Sequence, residues 1–248
     1  MKKKILIDII LPNYNSYSFI KSTINCVIKQ SFKSWRLLII DDCSNKKTVK
    51  LLRNYLNNRK IKIIFLKKNL GPGPCRNVGL KLARAKYVAF LDSDDRWLTN
   101  KLEKQFNFME KKNIFFSYTS YKLFGLKDKT IRPPIKFNFN DFIKNTTIAT
   151  STIMIKKSVI NNSLFSSARS CDDYSFKCEI LKKVKYAYCL NQPLTKYRIR
   201  NNSIQQSKLR NLYWVWKMNR SKNKLNFLEN LTSIILISIN SFKKYGFK

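Results

Sequence analysis

Apolar residues in the first hundred positions fall in short continuous runs that alternate with stretches of helical spacing. The runs cover residues 5–11, 37–40, 61–66 and 87–91, where Asp8 and Lys62 are the charged interruptions, and the helical stretches cover residues 19–29, 48–56 and 76–84. A short continuous apolar run is typical of a strand that is buried on both faces, as in a parallel sheet. The alternation therefore predicts an α/β fold with a parallel sheet.

The second half of the chain has a less regular pattern. Helical spacing covers residues 100–112, where Asn100 and Glu103 form a candidate capping box, and residues 174–184. Strand-like segments cover residues 115–123, 150–155, 186–190 and 194–199, and from about residue 207 the pattern is helical to the end. We expect one domain with a C-terminal helical elaboration.

The composition restricts the chemistry of this chain. It has 248 residues with 50 Lys and Arg, 14 Asp and Glu, and no His. A Ser–His or Cys–His nucleophile pair, an HExxH zinc site and an imidazole pH switch are therefore excluded. Any general base or metal ligand has to come from a carboxylate or a cysteine.

The net charge of +36 has two explanations that the sequence leaves open. Such a charge favours a polyanionic environment, namely nucleic acid, an anionic membrane face or phosphorylated substrates. Coding bias towards Lys, Asn, Ile, Phe and Tyr would give the same charge without selection for binding, because the lysines are spread along the chain.

The cysteines and the apolar segments bear on the compartment. The six cysteines lie in apolar segments without CxxC spacing, so we expect buried, reduced thiols. No apolar stretch reaches the about 20 residues of a spanning helix. We expect a cytoplasmic protein.

Half of the acidic residues form three clusters. These seven residues are Asp41-Asp42, then Asp92, Asp94 and Asp95, then Asp172-Asp173. The first two clusters follow predicted parallel strands, at the sheet edge where α/β proteins bind ligands. The cluster at residues 92–95 can hold a divalent cation together with phosphate oxygens and water, or it can be an acidic turn that caps the next helix.

For the other two clusters, the spacing alone leaves the role of each aspartate open. Either Asp41 or Asp42 can accept hydrogen bonds from a nucleobase or a ribose, and the other can cap the helix that begins near Lys46. The pair Asp172-Asp173 begins a predicted helix, where Asp is favoured in any case.

A segment rich in Gly and Pro, residues 69–79, opens the third helix. Its glycines allow a ligand to approach the backbone, and the helix N-terminus together with Arg76 favours a phosphate. It is a poor dinucleotide fingerprint, because Arg76 takes the third glycine position of GxGxxG and the segment follows the third strand. A tight turn with Pro74 at the first helical position explains the same residues.

Five motifs follow one another along the chain: Pro12-Asn13-Tyr14-Asn15, Ile40-Asp41-Asp42-Cys43-Ser44, Asn69-Leu70-Gly71 with Arg76-Asn77-Val78-Gly79, Phe90-Leu91-Asp92-Ser93-Asp94-Asp95, and Asp172-Asp173-Tyr174. In this order they resemble the family-2 inverting glycosyltransferases of the GT-A fold, over about residues 5–200. Residues 152–155 and 193–198 also resemble members that build bacterial surface polysaccharide and lipopolysaccharide O-antigen chains. The chain departs from the family at Asp172, where Glu is usual, and at residues 73–75, where small residues are commoner.

The resemblance implies a GT-A fold, with a Rossmann-like nucleotide-binding half, a mixed central sheet and a C-terminal helical tail. It divides the chain into a GT-A domain over residues 1–205 and a tail over residues 206–248. Within the domain, residues 1–98 form the nucleotide-sugar-binding half and residues 99–205 form the acceptor-side half.

The resemblance also implies how a UDP-sugar donor is bound. Pro12 and Tyr14 line the uracil pocket, and Asp42 hydrogen-bonds the uracil. Arg76 lies near the phosphates of the donor.

The fourth motif is implied to bind the rest of the donor. Asp92 and Ser93 contact the ribose and the donor sugar. Asp94, with Asp95, binds Mg²⁺ or Mn²⁺ at the diphosphate, where metal and cation stabilise the leaving group.

The fifth motif is implied to contain the catalytic base. Asp173 deprotonates the acceptor hydroxyl for in-line attack on the anomeric carbon, which inverts that carbon. Burial or the neighbouring Asp172 has to tune the basicity of Asp173.

The implied partners are a UDP-hexose and a polyprenyl-diphosphate-linked saccharide, which places the enzyme on the inner face of the cytoplasmic membrane. Tyr213-Trp214-Val215-Trp216 lies in a basic stretch, and residues 231–239 are strongly apolar. These features suit peripheral contact with an anionic membrane surface. A C-terminal helix packed on the domain, with its aromatic residues buried, explains them equally well.

Two other functions compete with glycosyl transfer. A basic nucleic-acid-binding protein accounts for the charge but leaves the acidic clusters unexplained, so we expect no nucleic-acid partner. A metal-dependent phosphoryl transferase or nuclease would use the carboxylates of residues 92–95.

Overall fold

A computed structural model describes residues 4–168, 171–200 and 208–245 of the chain. Its strands are β1 (Ile7–Asn13), β2 (Trp35–Asp41), β3 (Ile61–Phe65), β4 (Tyr87–Phe90), β5 (Arg96–Trp97), β6 (Phe116–Gly125), β7 (Lys129–Ile131), β8 (Lys136–Phe137), β9 (Met154–Lys156) and β10 (Ala187–Ile199). Its helices are α1 (Tyr17–Ile28), α2 (Lys46–Arg53), α3 (Pro72–Leu82), α4 (Lys101–Lys111), α5 (Phe139–Phe142), α6 (Lys157–Ile160), α7 (Asp172–Lys183), α8 (Lys208–Ser221) and α9 (Phe227–Tyr245).

The strands of the described residues form one mixed sheet. Its order is β3-β2-β1-β4-β9-β6-β10-β5, with β7 beside β6 and β8 beside β10. The first four strands of the chain are parallel to one another, as their apolar runs predict. Strand β9 is antiparallel to both β4 and β6, which makes the sheet mixed.

Helices cover both faces of the sheet, which explains the continuous apolar runs. Along β1, Ile9 faces a core shared with α1 and α4, whereas Ile10 faces a core shared with α3 and α7. Successive side chains of a strand point to opposite faces, so a strand covered twice is apolar at every position. Helix α3 lies close to β1 because residue 79 is Gly: a Cβ there would come within 2.5 Å of Ile10.

The predicted strand over residues 150–155 is wrong in its first half. Residues Thr150–Thr152 form a 3₁₀ turn, and only Met154–Lys156 form a strand. The side chains of this turn bind two other segments, described below, and local alternation of apolar residues does not reveal such contacts. The predicted strands at residues 186–190 and 194–199 are in fact one strand, β10. Its pairing with β6 shifts register on both sides of Pro193, so the strand continues through the polar residues between the two predicted segments.

Two predicted helix starts also need correction. Helix α3 begins at Pro72 rather than at residue 76, because prolines are tolerated in the first turn, where N–H groups have no helical partner. Asn100 precedes α4 but makes no side-chain cap, and Glu103 accepts a hydrogen bond from the Ser31 hydroxyl instead (2.6 Å). The predicted capping box is therefore absent.

The cysteines are free, as expected, but not all of them are buried. Cys75, Cys178 and Cys189 are buried, Cys26 and Cys171 are partly exposed, and Cys43 is exposed. Cys43 lies between Asp42 and Ser44 in the loop after β2, so the expectation of a buried thiol is wrong there.

The predicted helical tail is present as the two helices α8 and α9. Val215 and Met218 of α8 and Ile237 of α9 are buried against the domain. None of the helices in the described ranges combines the length and apolar composition that a membrane-spanning helix needs. The division of the chain at residues 205 and 206 stays a prediction.

Candidate active site

The first two parallel strands end in a network built around Asp41. Its carboxylate accepts hydrogen bonds from Asn13 Nδ2 (2.6 Å) and from the main-chain N–H of Ser44 (3.1 Å). The Ser44 hydroxyl in turn accepts from the N–H of Asn15 (2.9 Å). Asp41 thus joins the ends of β1 and β2 and is the structural member of its pair.

Asp42 anchors the Gly-rich segment instead. Its two carboxylate oxygens accept hydrogen bonds from the N–H groups of Leu70 (2.7 Å) and Gly71 (2.8 Å). The cap of α2 is Asn45, which accepts from the N–H of Thr48, so neither aspartate caps that helix as one interpretation expected. A carboxylate has about four acceptor sites, so Asp42 retains capacity for a ligand donor.

The predicted uracil-pocket residues lie beside this network. Pro12 is buried in β1, whereas the Tyr14 side chain is exposed. An exposed aromatic ring next to two buried aspartates forms a surface on which a planar base can stack.

Arg76 connects two of the acidic clusters. Its Nη2 donates to Asp92 (2.5 Å) and its Nη1 donates to Asp172 (2.5 Å), although these aspartates are 80 positions apart in the sequence. The guanidinium is buried and lies over the Phe165 ring, and its Nε has no hydrogen-bond partner among the described residues. Burial disfavours the charged form, but Asp92 and Asp172 outweigh it and raise the pKa of Arg76.

The turn after β4 contains Asp92, Ser93, Asp94 and Asp95. The hydroxyl of Thr23 lies 2.9 Å from the main-chain oxygens of both Ser93 and Asp95, which fixes the turn on α1. The Asp95 carboxylate accepts from the N–H of Arg198 (2.8 Å), and the Asp94 carboxylate pairs with Arg200 Nε (3.0 Å). Arg198 of strand β10 and the adjoining Arg200 therefore support the turn from the second half of the chain.

The carboxylates of this turn share a strongly acidic environment. Burial and the charge of Asp92 raise the pKa of Asp94. Burial, followed by the charges of Asp94 and Asp92, raises the pKa of Asp95 well above its ordinary value. Each ionised carboxylate in the cluster makes ionisation of the next one less favourable.

A hard divalent cation fits this donor set when a diphosphate completes it. Asp95 Oδ2 is buried without a hydrogen-bond partner in the described part of the chain, so an added cation would satisfy it. No three Cys, Asp or Glu side chains in the described ranges come together closely enough to hold a metal by themselves. Mg²⁺ is commonly held by one or two carboxylates plus substrate phosphates, which matches this arrangement.

Asp173 lies in the first turn of α7, within a cluster of donors. It accepts hydrogen bonds from the Thr150 hydroxyl and from Lys177 Nζ (2.5 Å), and Lys177 also donates to the carbonyl of Ile148 (2.8 Å). Burial favours the neutral acid, but Lys177 and the Thr150 hydroxyl outweigh it and lower the pKa of Asp173 to about 2. Burial does influence the basicity of Asp173, as expected, but the buried ammonium of Lys177 one helical turn away outweighs it and favours the ionised carboxylate.

Asp172 differs from its neighbour. It pairs with Arg76, yet burial outweighs that attraction and raises its pKa to about 6. Asp172 therefore takes part in fixing Arg76, and Asp173, whose pKa is lowered, is the member of the pair that favours the ionised form.

The 3₁₀ turn of residues 150–152 forms a second connection between the clusters. The Ser151 hydroxyl accepts from the N–H of Asp92 (3.0 Å), while the adjacent Thr150 donates to Asp173. Sequence reasoning missed Thr150 and Ser151, whose only signal is a polar stretch in an apolar region. It also missed Lys177, although its spacing of four from Asp173 is the spacing of helical ion pairs.

Comparison with known proteins identifies the family. Residues 8–165 match the sequence profile of Glycosyl transferase family 2. TuaG of Bacillus subtilis, a glycosyltransferase named for teichuronic acid biosynthesis, is 35% identical over 246 residues, which cover 97% of this chain and 98% of TuaG. The chain belongs to glycosyltransferase family 2.

A second relative in this family is named by its reaction. WfgD of Escherichia coli is 32% identical over 249 residues, covering 98% of this chain and 96% of WfgD. Its name describes a β-1,3-glucosyltransferase that acts on UDP-Glc and α-D-GlcNAc-diphosphoundecaprenol.

Solved structures confirm the GT-A fold of this glycosyltransferase. Residues 1–349 of Staphylococcus aureus TarS, in complex with UDP-GlcNAc, superpose with a TM-score of 0.76 at 20% identity, covering 98% of this chain and 73% of that fragment. The mannosyltransferase PcManGT of Pyrobaculum calidifontis, in complex with GDP-Man and Mn²⁺, superposes with a TM-score of 0.70 at 11% identity, covering 100% of this chain and 77% of PcManGT. The predicted fold and enzyme class are thus confirmed, and the roles of individual residues stay predictions.

Proposed function

We propose that this family-2 enzyme transfers a hexosyl group from a UDP-sugar to a hydroxyl of a polyprenyl-diphosphate-linked saccharide, with inversion, in the synthesis of surface polysaccharide or O-antigen. The observation that carries the proposal is the linkage of Asp92 to Asp172 through Arg76, next to the ionised Asp173. This linkage joins the turn of residues 92–95, which we name the donor-side turn, to the proposed base Asp173 in a single site. The reaction named for WfgD supports the class of donor and acceptor.

In this proposal, residues 1–98 bind the donor. Tyr14 and Pro12 form the uracil surface and Asp42 accepts a hydrogen bond from the base. Asp92 and Ser93 face the ribose and the sugar.

The carboxylates of Asp94 and Asp95 are the proposed ligands of Mg²⁺ or Mn²⁺ at the diphosphate. The bound ion supplies electrostatic stabilisation of the negative charge that develops on the leaving UDP. Arg76 contributes positive charge beside Asp92. Its two ion pairs hold the donor-side turn and the start of α7 at a fixed distance from each other.

Asp173 is the proposed catalytic base. The acceptor oxygen forms a bond to the anomeric carbon while the bond between that carbon and the UDP oxygen breaks, and the bonding electrons leave with UDP. Asp173 takes the hydroxyl proton. Because its pKa is about 2, proton transfer becomes favourable only once the new bond has made the hydroxyl acidic.

Thermal unfolding with ligand tests the donor site. We expect UDP with Mn²⁺ to raise the melting temperature by roughly 5–10 °C at a hundredfold excess over Kd, because such an excess adds ~2.7 kcal/mol. We expect Asp94→Ala to abolish this shift. An unchanged melting temperature of the wild-type chain with UDP and Mn²⁺ would contradict the proposed site.

Transfer kinetics test the base. We expect Asp173→Asn to lower the transfer rate about 100- to 10,000-fold, because a positioned base contributes that factor. The same variant should retain the thermal shift with UDP, since Asp173 does not bind the nucleotide. Screening UDP-hexoses for Mn²⁺-dependent hydrolysis identifies the donor sugar.

A polyprenyl-linked acceptor resides in the membrane, so we propose that the enzyme works at the inner face of the cytoplasmic membrane. The basic tail supports peripheral contact there.

A further inference from the structure

Helix α9 has an apolar face that is exposed to solvent. Its members are Leu228, Leu231, Ile235 and Ile239, which are 72%, 40%, 50% and 44% exposed. Their spacing of three or four residues places them on one side of a helix, along about 17 Å. We name these four residues the outward face.

The opposite side of α9 holds the helix against the domain. Asn230, Ser233 and Ile237 are buried. The Asn219 side-chain amide of α8 donates to Asn230 (3.0 Å) and to Ser233 (3.0 Å), so the two helices are joined by buried polar contacts. Helix α9 therefore packs on the domain through this opposite side, and the outward face is not needed for that packing. A continuous exposed apolar stripe of this length marks an interaction site.

The adjoining helix α8 adds apolar and basic residues to the exposed surface. Leu209 and Tyr213 are exposed on α8, where Arg210, Lys217 and Arg220 are exposed as well. Residues 208–245 contain eight Lys or Arg and one acidic residue, Glu229. Apolar side chains beside a strong excess of positive charge match the boundary of an anionic lipid bilayer, where acyl chains meet negative headgroups.

We propose that the outward face of α9 lies in the headgroup layer of an anionic membrane, with its axis in the membrane plane. The basic residues of α8 and α9 contact the headgroups while Leu231, Ile235 and Ile239 reach the acyl boundary. A second copy of this chain is a poorer occupant, because two surfaces with the same positive charge repel each other.

The buried side of α9 connects this surface to the proposed base. Ser233 donates to the carbonyl of Ile143 (2.5 Å), and Asn240 donates to the carbonyl of Lys144 (3.1 Å). The same segment continues to Ile148 and Thr150, which bind Lys177 and Asp173. A membrane-bound α9 therefore supports the segment that holds the base, and this part of the argument rests on the proposed lipid-linked acceptor.

Vesicle sedimentation of the full chain tests the surface. The probes are vesicles of phosphatidylglycerol with phosphatidylethanolamine, and vesicles of phosphatidylcholine alone. We expect binding to the anionic vesicles that weakens as salt increases, and at least tenfold weaker binding to phosphatidylcholine. We expect the triple variant Leu231→Asn, Ile235→Asn, Ile239→Asn to bind the anionic vesicles at least tenfold more weakly than the wild-type chain.

The double variant Leu126→Asn, Ile135→Asn is the matched control, because these exposed apolar residues lie outside α8 and α9. It should bind vesicles like the wild-type chain. Melting temperature confirms that both variants are folded, and a single variant, Ile235→Asn, replaces the triple variant if the latter unfolds. Equal binding of the triple variant and the control would overturn the proposal.

Further outcomes separate this proposal from the proposed function. A stable dimer that the triple variant dissociates, without vesicle binding, would assign the face to a second copy and overturn the membrane proposal. Vesicle binding without a thermal shift by UDP would support the membrane face and contradict the donor site. A thermal shift by UDP without vesicle binding would overturn the membrane face alone.

Discussion

The turn of residues 92–95, the proposed donor-side turn, and Asp173, the proposed base, place carboxylates in opposite electrostatic environments. In the turn after β4, burial and neighbouring carboxylates raise the pKa values of Asp94 and Asp95. At the start of α7, the ammonium of Lys177 helps to lower the pKa of Asp173 to about 2, against the effect of burial. Both regions are largely buried, so the difference comes from the charges nearby.

The contrast indicates where an added cation has the most effect. Asp173 already has a fixed cation, the buried ammonium of Lys177, at 2.5 Å. Asp94 pairs with the half-exposed guanidinium of Arg200 and is also attracted to Arg198, and Asp95 Oδ2 has no hydrogen-bond partner within the described residues. The proposed divalent cation would therefore relieve repulsion in the donor-side turn, whereas at Asp173 it would compete with Lys177.

The largest expected effect concerns Arg76, which belongs to both regions. We expect Arg76→Met to lower the free energy of unfolding by about 3–5 kcal/mol, because it leaves two carboxylates without their buried partner. Urea denaturation measures this loss. Lys86→Met, which removes the exposed ion pair with Glu110, is the matched control, and there we expect a loss of at most about 1 kcal/mol. Equal losses in the two variants would show that Arg76 does not join the regions.

The next effect concerns the sign of the pKa shift at Asp173. In the wild-type chain its pKa is lowered, so the stability that the ionised form provides is complete above about pH 4 and is lost as the pH falls towards 2. In Lys177→Met, burial acts without the ammonium, and we expect the pKa of Asp173 to rise above its ordinary value. As the pH is lowered, kcat/KM for transfer should therefore begin to fall in Lys177→Met at a pH where kcat/KM of the wild-type chain is still constant.

Lys177→Arg is the control for this experiment, because it keeps a positive charge at the same helical position. We expect its profile of kcat/KM against pH to resemble that of the wild-type chain. A profile of Lys177→Met that stays flat down to the same pH as the wild type would show that Lys177 does not set the ionisation of Asp173.

The smallest effect is expected at Arg200. Its guanidinium is about half exposed, so we expect Arg200→Gln to change the free energy of unfolding by about 0.5 kcal/mol or less. Removal of a cation next to Asp94 should tighten Mn²⁺ binding about two- to threefold, as measured by calorimetry with UDP present. Weaker Mn²⁺ binding in this variant would show that Arg200 assists the ion instead of competing with it.

The two regions also differ in how far the sequence predicts them. The donor-side turn consists of consecutive residues after a buried strand, so Asp92, Asp94 and Asp95 are recognisable from their order alone. The surroundings of Asp173 come from the 3₁₀ turn, the carbonyl of Ile148 and the side chain of Lys177. No local pattern joins these positions, and the sequence therefore did not reveal that Lys177 and Thr150 lower the basicity of Asp173.

The C-terminal tail shows the same limit. Its helical character follows from the pattern, but the choice between packing and membrane contact does not. In the structure, α9 packs through Asn230, Ser233 and Ile237, while Leu231 and Ile235 remain exposed. Which side of a helix faces the domain depends on distant contacts such as that of Ser233 with Ile143.

By itself, the sequence determined the class of the fold, the enzyme family and the exclusion of histidine chemistry. These follow from the spacing of apolar residues, the order of short motifs and the absence of His, all of which can be read along the chain. Only the tertiary structure decided that Arg76 links Asp92 to Asp172, that Lys177 holds Asp173 ionised, and that α9 exposes an apolar face. Ionisation, ion pairing and exposure depend on groups brought within a few ångströms in space, and sequence distance carries little information about that proximity.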